Sequence, residues 1–166
     1  MAEKQVGKTT LVKRVIEKRK TNICGFFTLR FPELVDEDGQ YPIYIYGIKE
    51  KPTIDSNHIV GTCGNGKHYS NDEVFNDLGK KYITTSNPKD LIIMDELGFL
   101  EMNAEEFKNK VFDVLASDNP VLIMLKQRLD IDFLKKIKEN DNIEFIKMDI
   151  DNRNEINEYL LQKLSI

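Results

Sequence analysis

From residue 90 onward, short apolar runs alternate regularly with stretches of helical periodicity. The run DLIIMDE (90–96) is typical of a strand that is buried on both faces of a sheet. Because strand and helix go on alternating, we predict an α/β fold of three layers, with right-handed βαβ units on a mainly parallel sheet and helices on both sides. The later elements are predicted as a helix over 103–117 with Asn103 as its N-cap, strands at PVLIMLK and IEFIKMDI, and helices at DIDFLKKIKEN and RNEINEYLLQKL.

The first half of the chain has one helix and then strands of a different kind. Residues 9–20 carry an apolar stripe at helical spacing, with lysine and arginine on the other side. Between residues 23 and 48, two runs rich in aromatic and β-branched residues flank the turn sequence DEDGQ, which predicts an antiparallel hairpin. In the turn-rich stretch that follows, HIVG is a candidate short strand, and residues 71–82 are a candidate helix.

Length and composition favour one globular domain over residues 1–166. No segment approaches the roughly 18 apolar residues of a membrane span, and the polar start lacks the features of a signal peptide, so we expect a cytoplasmic protein. A net charge of −4 gives no general attraction for nucleic acid or for membranes. The sequence favours no particular oligomeric state. We interpret the basic residues Lys13, Arg14, Lys18, Arg19 and Lys20 as a solvated helix face.

The segment QVGKTTLV (5–12) matches the second half of a phosphate-binding loop, Gly-x-x-x-x-Gly-Lys-Ser/Thr. In such a loop, backbone N–H groups and a helix N-terminus face the anion, the lysine neutralises the outer phosphates, and the hydroxyl helps to hold Mg²⁺. Gly7, Lys8 and Thr9 occupy these positions directly before the predicted helix, and Thr10 is a further candidate for nucleotide binding. By itself this match is weak, because chance readily supplies Gly-Lys-Ser/Thr.

The end of the run LIIMDE supplies the second part of a nucleotide site. An apolar strand that ends in Asp95 and Glu96 has the form of a Walker B strand, which delivers a carboxylate to the metal. Asp95 is then expected to contact Mg²⁺ through water, on the same side of the sheet as Thr9. A buried strand that simply ends in surface acids is the alternative. Both features in one chain, in the right order and on the right elements, favour the nucleotide site.

Glu96 favours hydrolysis over phosphoryl transfer. A carboxylate beside the metal ligand can orient or deprotonate a water for attack on the γ-phosphate. A kinase has no use for activated water there, and it needs a second pocket for its acceptor. We therefore predict a Mg²⁺-dependent nucleoside-triphosphate phosphohydrolase with Lys8 and Glu96 as catalytic residues. The alternatives are a nucleoside or nucleotide kinase and a nucleotide-binding module with little or no turnover.

Six segments spread along the chain carry a family resemblance: QVGKTTLV (5–12), CGFFT (24–28), GNGKHYSNDEVF (64–75), LIIMDELGFLEM (91–102), PVLIMLKQR (120–128) and DNRNEI (151–156). Together they resemble the THEP-type nucleoside-triphosphatases, which are small P-loop NTPases. The extension of the Walker B strand that contains Gly98 and Glu101 is the most specific part of this resemblance. The resemblance implies a RecA-like α/β core that hydrolyses ATP, GTP and other nucleoside triphosphates with Mg²⁺.

The resemblance also bears on individual residues. Lys8, Thr9, Asp95 and Glu96 keep the roles given above. Arg153 matches an arginine that the family also has near its C-terminus; it is expected either to contact the nucleotide and the developing phosphate charge or to form a surface ion pair. The same two alternatives apply to Arg128, for which a role at the nucleotide is less favoured.

Several other polar residues are expected to have structural roles. His58 and His68 have no second ligand at metal spacing, so we expect them to pack in loops or at the surface. Cys24 and Cys63 form no CxxC pair and are expected to be reduced thiols with packing roles. The glycines of GTCGNG are expected to form an ordinary turn.

The start of the chain departs from the family pattern. Family members have a short apolar strand before the loop, ending in the first glycine of the motif, whereas here Ala2 stands at the position of that glycine. The strand normally lies within the parallel sheet, so its absence would leave two strand edges unpaired and the loop anchored at one end only. A truncated form or a misplaced start codon is one explanation, and a natural variant that fills the slot with another strand is the other.

Extending this chain by an apolar strand that ends in glycine is expected to strengthen nucleotide binding clearly, because the strand would anchor the phosphate-binding loop at its second end. Titration calorimetry of both forms with the same nucleotide measures the effect. Equal affinities would show that the loop needs no such anchor.

Overall fold

The structure is a computed structural model that describes residues 8–18, 22–126 and 130–164, including all their side chains except those of residues 8 and 9. Six strands in this part form one sheet in the order β4-β3-β2-β1-β5-β6. The strands are β1 (Ile23–Leu29), β2 (Tyr41–Gly47), β3 (Ile59–Gly64), β4 (Lys67–Ser70), β5 (Leu91–Leu97) and β6 (Val121–Leu125). The helices are α1 (Lys8–Lys18), α2 (Asp72–Val74), a π-helix (Phe75–Gly79), α3 (Lys80–Tyr82), α4 (Glu105–Leu115), α5 (Asp132–Lys138) and α6 (Arg153–Leu164), with short 3-10 turns at Pro32–Leu34 and Ser56–His58.

The sheet joins a parallel part to an antiparallel part. Strand β5 pairs in parallel with β1 on one side and with β6 on the other. Strands β2, β3 and β4 extend the sheet from β1 as successive antiparallel neighbours. The α/β architecture, the parallel strands and the antiparallel hairpin are thus confirmed, and HIVG lies in β3 as expected. Strand β4 was not predicted.

Strand β5 supplies two separate cores with alternate side chains. Ile92 and Met94 belong to one hydrophobic cluster, Leu91 and Ile93 belong to the other, and each is at most 1% exposed. Helices α4 and α5 contribute to the first cluster, whereas α1 and α6 contribute to the second. The sheet is therefore covered on both faces, which is the predicted three-layer arrangement.

Helix α1 follows the predicted pattern. Its buried residues Leu11, Val12 and Val15 form one stripe, and Lys13 and Arg14 on the other side are exposed. The candidate helix over 71–82 is also helical, but its middle third is a π-helix that joins two short α-helical pieces. Among the described helices, none is both long and apolar enough to cross a membrane.

The prediction of a strand at IEFIKMDI is wrong, since residues 143–149 have no strand pairing among the described residues. A strand requires a neighbour whose backbone N–H and C=O groups it can bond. Within the described part, β6 is the last strand of the sheet and pairs with β5 alone, so IEFIKMDI does not pair with it. The segment instead contacts α6 through side chains. Tyr159 donates a hydrogen bond of 2.7 Å to Glu144, which also forms an ion pair with Lys163.

The prediction of Asn103 as a helix N-cap is wrong as well. Helix α4 begins at Glu105, and Ala104 occupies the cap position without a side-chain hydrogen bond. Ala104 is completely buried in the core, so packing of this small residue places the start of the helix one position later than the capping pattern indicated.

Gly25 allows β1 to lie directly against β5, and replacing it is expected to be costly. It is in register with Ile93, its φ is +119°, and an added Cβ would lie 1.9 Å from the Ile93 carbonyl oxygen. We expect Gly25→Ala to lower the free energy of unfolding by more than about 3 kcal/mol, measured by denaturant unfolding. Gly66→Ala is the matched control, because Gly66 has φ +75° with no atom within 4 Å of the added carbon, and its cost is expected to be about 1 kcal/mol. Equal losses in both variants would contradict the close approach of the two strands.

Candidate functional site

Strand β5 carries a β-bulge at its carboxyl end. The register with β6 shifts between Met94 and Leu97, where two residues of β5, Asp95 and Glu96, lie opposite one residue of β6. An extra residue of this kind re-aims the side chains of the bulged strand. The two carboxylates that the sequence singled out are thus the two residues of the bulge.

The backbone of Glu96 is in the left-handed region, with φ +63°. This conformation costs a residue with a Cβ about 1–2 kcal/mol and persists where the surrounding structure enforces it. The side chain of Glu96 is 50% exposed, whereas Asp95 is half-buried. Strained residues of this kind often occur at functional sites, and here the strain lies in the backbone of the residue that bears the candidate catalytic carboxylate.

The turn after β5 is held by a buried carboxylate. Glu101 is 2% exposed, and it accepts a hydrogen bond from the backbone N–H of Gly98. Burial raises the pKa of Glu101 to about 7. Gly98 and Glu101 are the residues that made the Walker B extension distinctive in sequence, and the structure gives them a local role, which is to close the turn directly after the bulge.

Lys126 is a residue of this site that the sequence analysis did not single out. It follows β6 directly, and its ammonium lies 3.7 Å from the Glu96 carboxylate. The signal available in the sequence was a lysine at the carboxyl end of the buried run after the Walker B strand. That signal alone does not identify a partner, because the contact depends on how β5 and β6 pair.

The phosphate-binding half of the site is described in part. Helix α1 begins at Lys8, which is the lysine of the motif, and Thr10 is exposed in its first turn. Gly7 and the side chains of Lys8 and Thr9 lie outside the described residues. The convergence of Thr9 and Asp95 on one metal ion therefore stays a prediction.

The two candidate arginines have different outcomes. Arg153 is the first residue of α6 and is exposed, while Arg128 lies outside the described residues. A contact of Arg153 with the nucleotide stays a prediction.

The remaining polar candidates have packing roles. His58 lies 2.9 Å from the Asp55 carboxylate and stacks on Tyr46, while the ring of His68 packs edge-on against Phe99. Of the glycines of GTCGNG, Gly61 and Gly64 lie in β3 and Gly66 lies in the turn to β4, so the predicted turn is confirmed at the end of this segment and is wrong for its first four residues.

Both cysteines are free thiols, Cys24 half-buried and Cys63 buried, as expected. Burial raises the pKa of both thiols, and a raised pKa lowers the fraction of reactive thiolate.

Comparison with known proteins gives a consistent result along the whole chain. The model of the NTPase family designated NTPase_1 matches residues 2–161. The nucleoside-triphosphatase THEP1 of Methanocaldococcus jannaschii is 30% identical over 170 residues, covering 96% of this chain and 91% of the relative. THEP1 of Thermotoga maritima is 28% identical over 168 residues, covering 96% of this chain and 90% of the relative.

Solved structures show the same fold. The crystal structure of THEP1 from Aquifex aeolicus matches with a TM-score of 0.78 at 22% identity, covering 99% of this chain and 96% of that one. The solution structure of a human cancer-related nucleoside triphosphatase matches with a TM-score of 0.69 at 16% identity, covering 98% and 94% of the two chains.

The buried carboxyl of Glu101 predicts a specific pH dependence of stability. Its pKa rises from the ordinary 4.5 to about 7 on folding, so its contribution to stability is fully present below about pH 4.5 and is lost as the pH rises through 7. We expect the wild type to lose up to about 3 kcal/mol relative to Glu101→Gln over this range, since a pKa difference of one corresponds to ~1.4 kcal/mol. The glutamine keeps an acceptor for Gly98 but does not titrate. Denaturant unfolding from pH 4.5 to 7.5 measures both proteins, and parallel curves would contradict the prediction.

Proposed function

The chain belongs to the NTPase_1 family, and on that premise we propose that it hydrolyses nucleoside triphosphates to the diphosphate and phosphate at the carboxyl edge of β5. The single observation that carries this proposal is the β5 bulge, whose two residues are Asp95 and Glu96 and which directly follows the buried residues of that strand. The relatives named nucleoside-triphosphatases cover nearly the whole of this chain. Both observations point to the same activity.

The residues of the bulge suit Mg²⁺. This ion prefers oxygen ligands, and proteins usually hold it through one or two carboxylates together with the phosphates of the substrate. The half-buried Asp95 offers a carboxylate at the end of β5 that can hold the ion through a water, and we propose that the hydroxyl of Thr9 provides a further oxygen. Among the described residues there is no group of three or more possible metal ligands, and a site of this kind needs none. When bound, Mg²⁺ neutralises charge on the β- and γ-phosphates.

Glu96 is proposed to orient the attacking water. Its carboxylate is half-exposed beside Asp95, so it can accept a hydrogen bond from a water at the carboxyl edge of the sheet. That water attacks the γ-phosphorus as Glu96 takes its proton, and the bond from the γ-phosphorus to the bridging oxygen breaks, which releases the diphosphate.

The start of α1 is proposed to bind the phosphates. Gly7 and Thr10 contribute at the helix N-terminus, and Lys8 neutralises the phosphate charge. Arg153 at the first turn of α6 is a further candidate for the nucleotide. We propose that these residues act within one domain over residues 1–166, in the cytoplasm and without a nucleic-acid partner, which is supported by the composition and net charge of the chain.

Replacing the proposed base tests the reaction. We expect Glu96→Gln to lower turnover at least about 100-fold while nucleotide affinity changes little, because the amide cannot take the proton of water. Phosphate release from ATP and Mg²⁺ without any acceptor measures turnover, and titration calorimetry measures binding. Glu139→Gln, at an exposed position next to α5, is the matched control and should behave as the wild type.

Three outcomes would contradict the proposal. Full turnover of Glu96→Gln would show that Glu96 is not the base. Phosphate transfer only on addition of a nucleoside would identify a kinase, whereas tight binding without turnover in the wild type would identify a nucleotide-binding module.

A further inference from the structure

Lys126 is tied to the bulge by its backbone. Leu125, the last residue of β6, is in register with Leu97, and the N–H of Lys126 donates a hydrogen bond of 2.8 Å to the Leu97 carbonyl. Lys126 therefore lies at the same edge of the sheet as Glu96, at the end of the neighbouring strand.

Three contacts define the position of the Lys126 side chain. Its stem packs on Gly98 so closely that a Cβ at Gly98 would lie 2.7 Å from Lys126 Cδ. Its ammonium lies 4.5 Å from the centre of the Phe99 ring and 3.7 Å from the Glu96 carboxylate. The apolar contact and the cation–π contact hold the stem and the ammonium, so the ion pair to Glu96 has a defined direction.

The contact between Lys126 and Glu96 restricts a side chain that would otherwise be mobile. The ammonium faces the carboxylate of Glu96, whose backbone is strained, and its charge lowers the pKa of the buried Glu101 against the larger effect of burial. A glutamate whose backbone is fixed by a bulge still has three rotatable side-chain bonds, and a half-exposed glutamate samples several rotamers. An ammonium held from the neighbouring strand β6 reduces the number of rotamers that the Glu96 side chain samples.

We propose that Lys126 is a positioning residue, which holds the Glu96 carboxylate at the carboxyl edge of β5 in the orientation needed to align the attacking water. This inference rests on the role proposed for Glu96. Lys126 thus contributes to the chemical step through Glu96 and not through binding of the phosphates. A misplacement of about 1 Å at a catalytic group can cost about 100-fold in rate, so a modest ion pair can have a large kinetic effect.

Kinetics of Lys126 variants test this role. We expect Lys126→Met to lower kcat by about 10-fold to 100-fold with KM and the affinity for a fluorescent ATP analogue changed by less than about threefold. Lys126→Arg keeps a cation in reach of Glu96 and is expected to recover a large part of kcat. Lys136→Met on α5 is the matched control, an exposed lysine outside the site, and should retain wild-type kinetics. Lys126→Gln serves as a second neutral variant if Lys126→Met does not fold.

A double variant separates positioning from direct action on the phosphates. In the Glu96→Gln background, Lys126→Met is expected to reduce the residual turnover by less than about twofold, because the group that Lys126 positions no longer works as a base. Residues that act as one unit are non-additive in this way, whereas a merely structural defect would lower both backgrounds equally.

The possible failures are distinguishable. A 10-fold rise in KM or loss of analogue binding in Lys126→Met would overturn the inference by showing that the ammonium binds the phosphates. Unchanged kcat in Lys126→Met, or an equal loss in both backgrounds, would overturn it as well. If Glu96→Gln itself keeps full turnover, the proposed function of Glu96 fails; if Glu96→Gln loses turnover and Lys126→Met does not, the inference about Lys126 fails alone.

Discussion

Burial of β5 on both faces is the constraint on which the other elements depend. Its alternate side chains enter two different cores, and each core needs helices to exclude water from it. Strands β1 and β6 complete its hydrogen bonding on either side, so none of its backbone edges is open along the paired residues. Such a strand has no room for charge along its length, and its carboxylates are confined to the carboxyl end, where the sheet meets solvent.

The candidate site is built by a departure from regular pairing at that end. One extra residue in β5 puts Glu96 into a left-handed conformation that a glutamate rarely adopts. The paired ladder lies on either side of this residue, the buried carboxylate of Glu101 bonds to the backbone two residues later, and the Lys126 ammonium lies 3.7 Å from the Glu96 carboxylate. Strain supported by rigid surroundings is a common property of sites that need a fixed geometry.

The structure also changes what the family-specific residues mean. Gly98 and Glu101 distinguish the Walker B extension in sequence, which could indicate direct contact with a nucleotide. In the structure, Glu101 is buried and bonds to the backbone of Gly98, and Gly98 leaves room for the stem of Lys126. Their contribution is therefore to shape the turn directly after the candidate catalytic carboxylate.

The sequence by itself determined those elements whose own pattern of apolar and polar side chains states which face is buried. The apolar run of β5, the stripe of α1 and the acidic pair at 95 and 96 were all visible, because periodicity states which face of an element avoids water. Tertiary structure decided what depends on a neighbour. The polar segment KHYS became a strand by pairing with β3, whereas the strand-like IEFIKMDI has no pairing partner in the described part of the chain. The contact of Lys126 with Glu96 also depends on a neighbouring segment, since it exists only where a bulge aligns two strands that are far apart in sequence. Burial preference is a property of a segment alone, but hydrogen bonds and ion pairs between strands require two segments to meet, and only the folded chain determines which ones do.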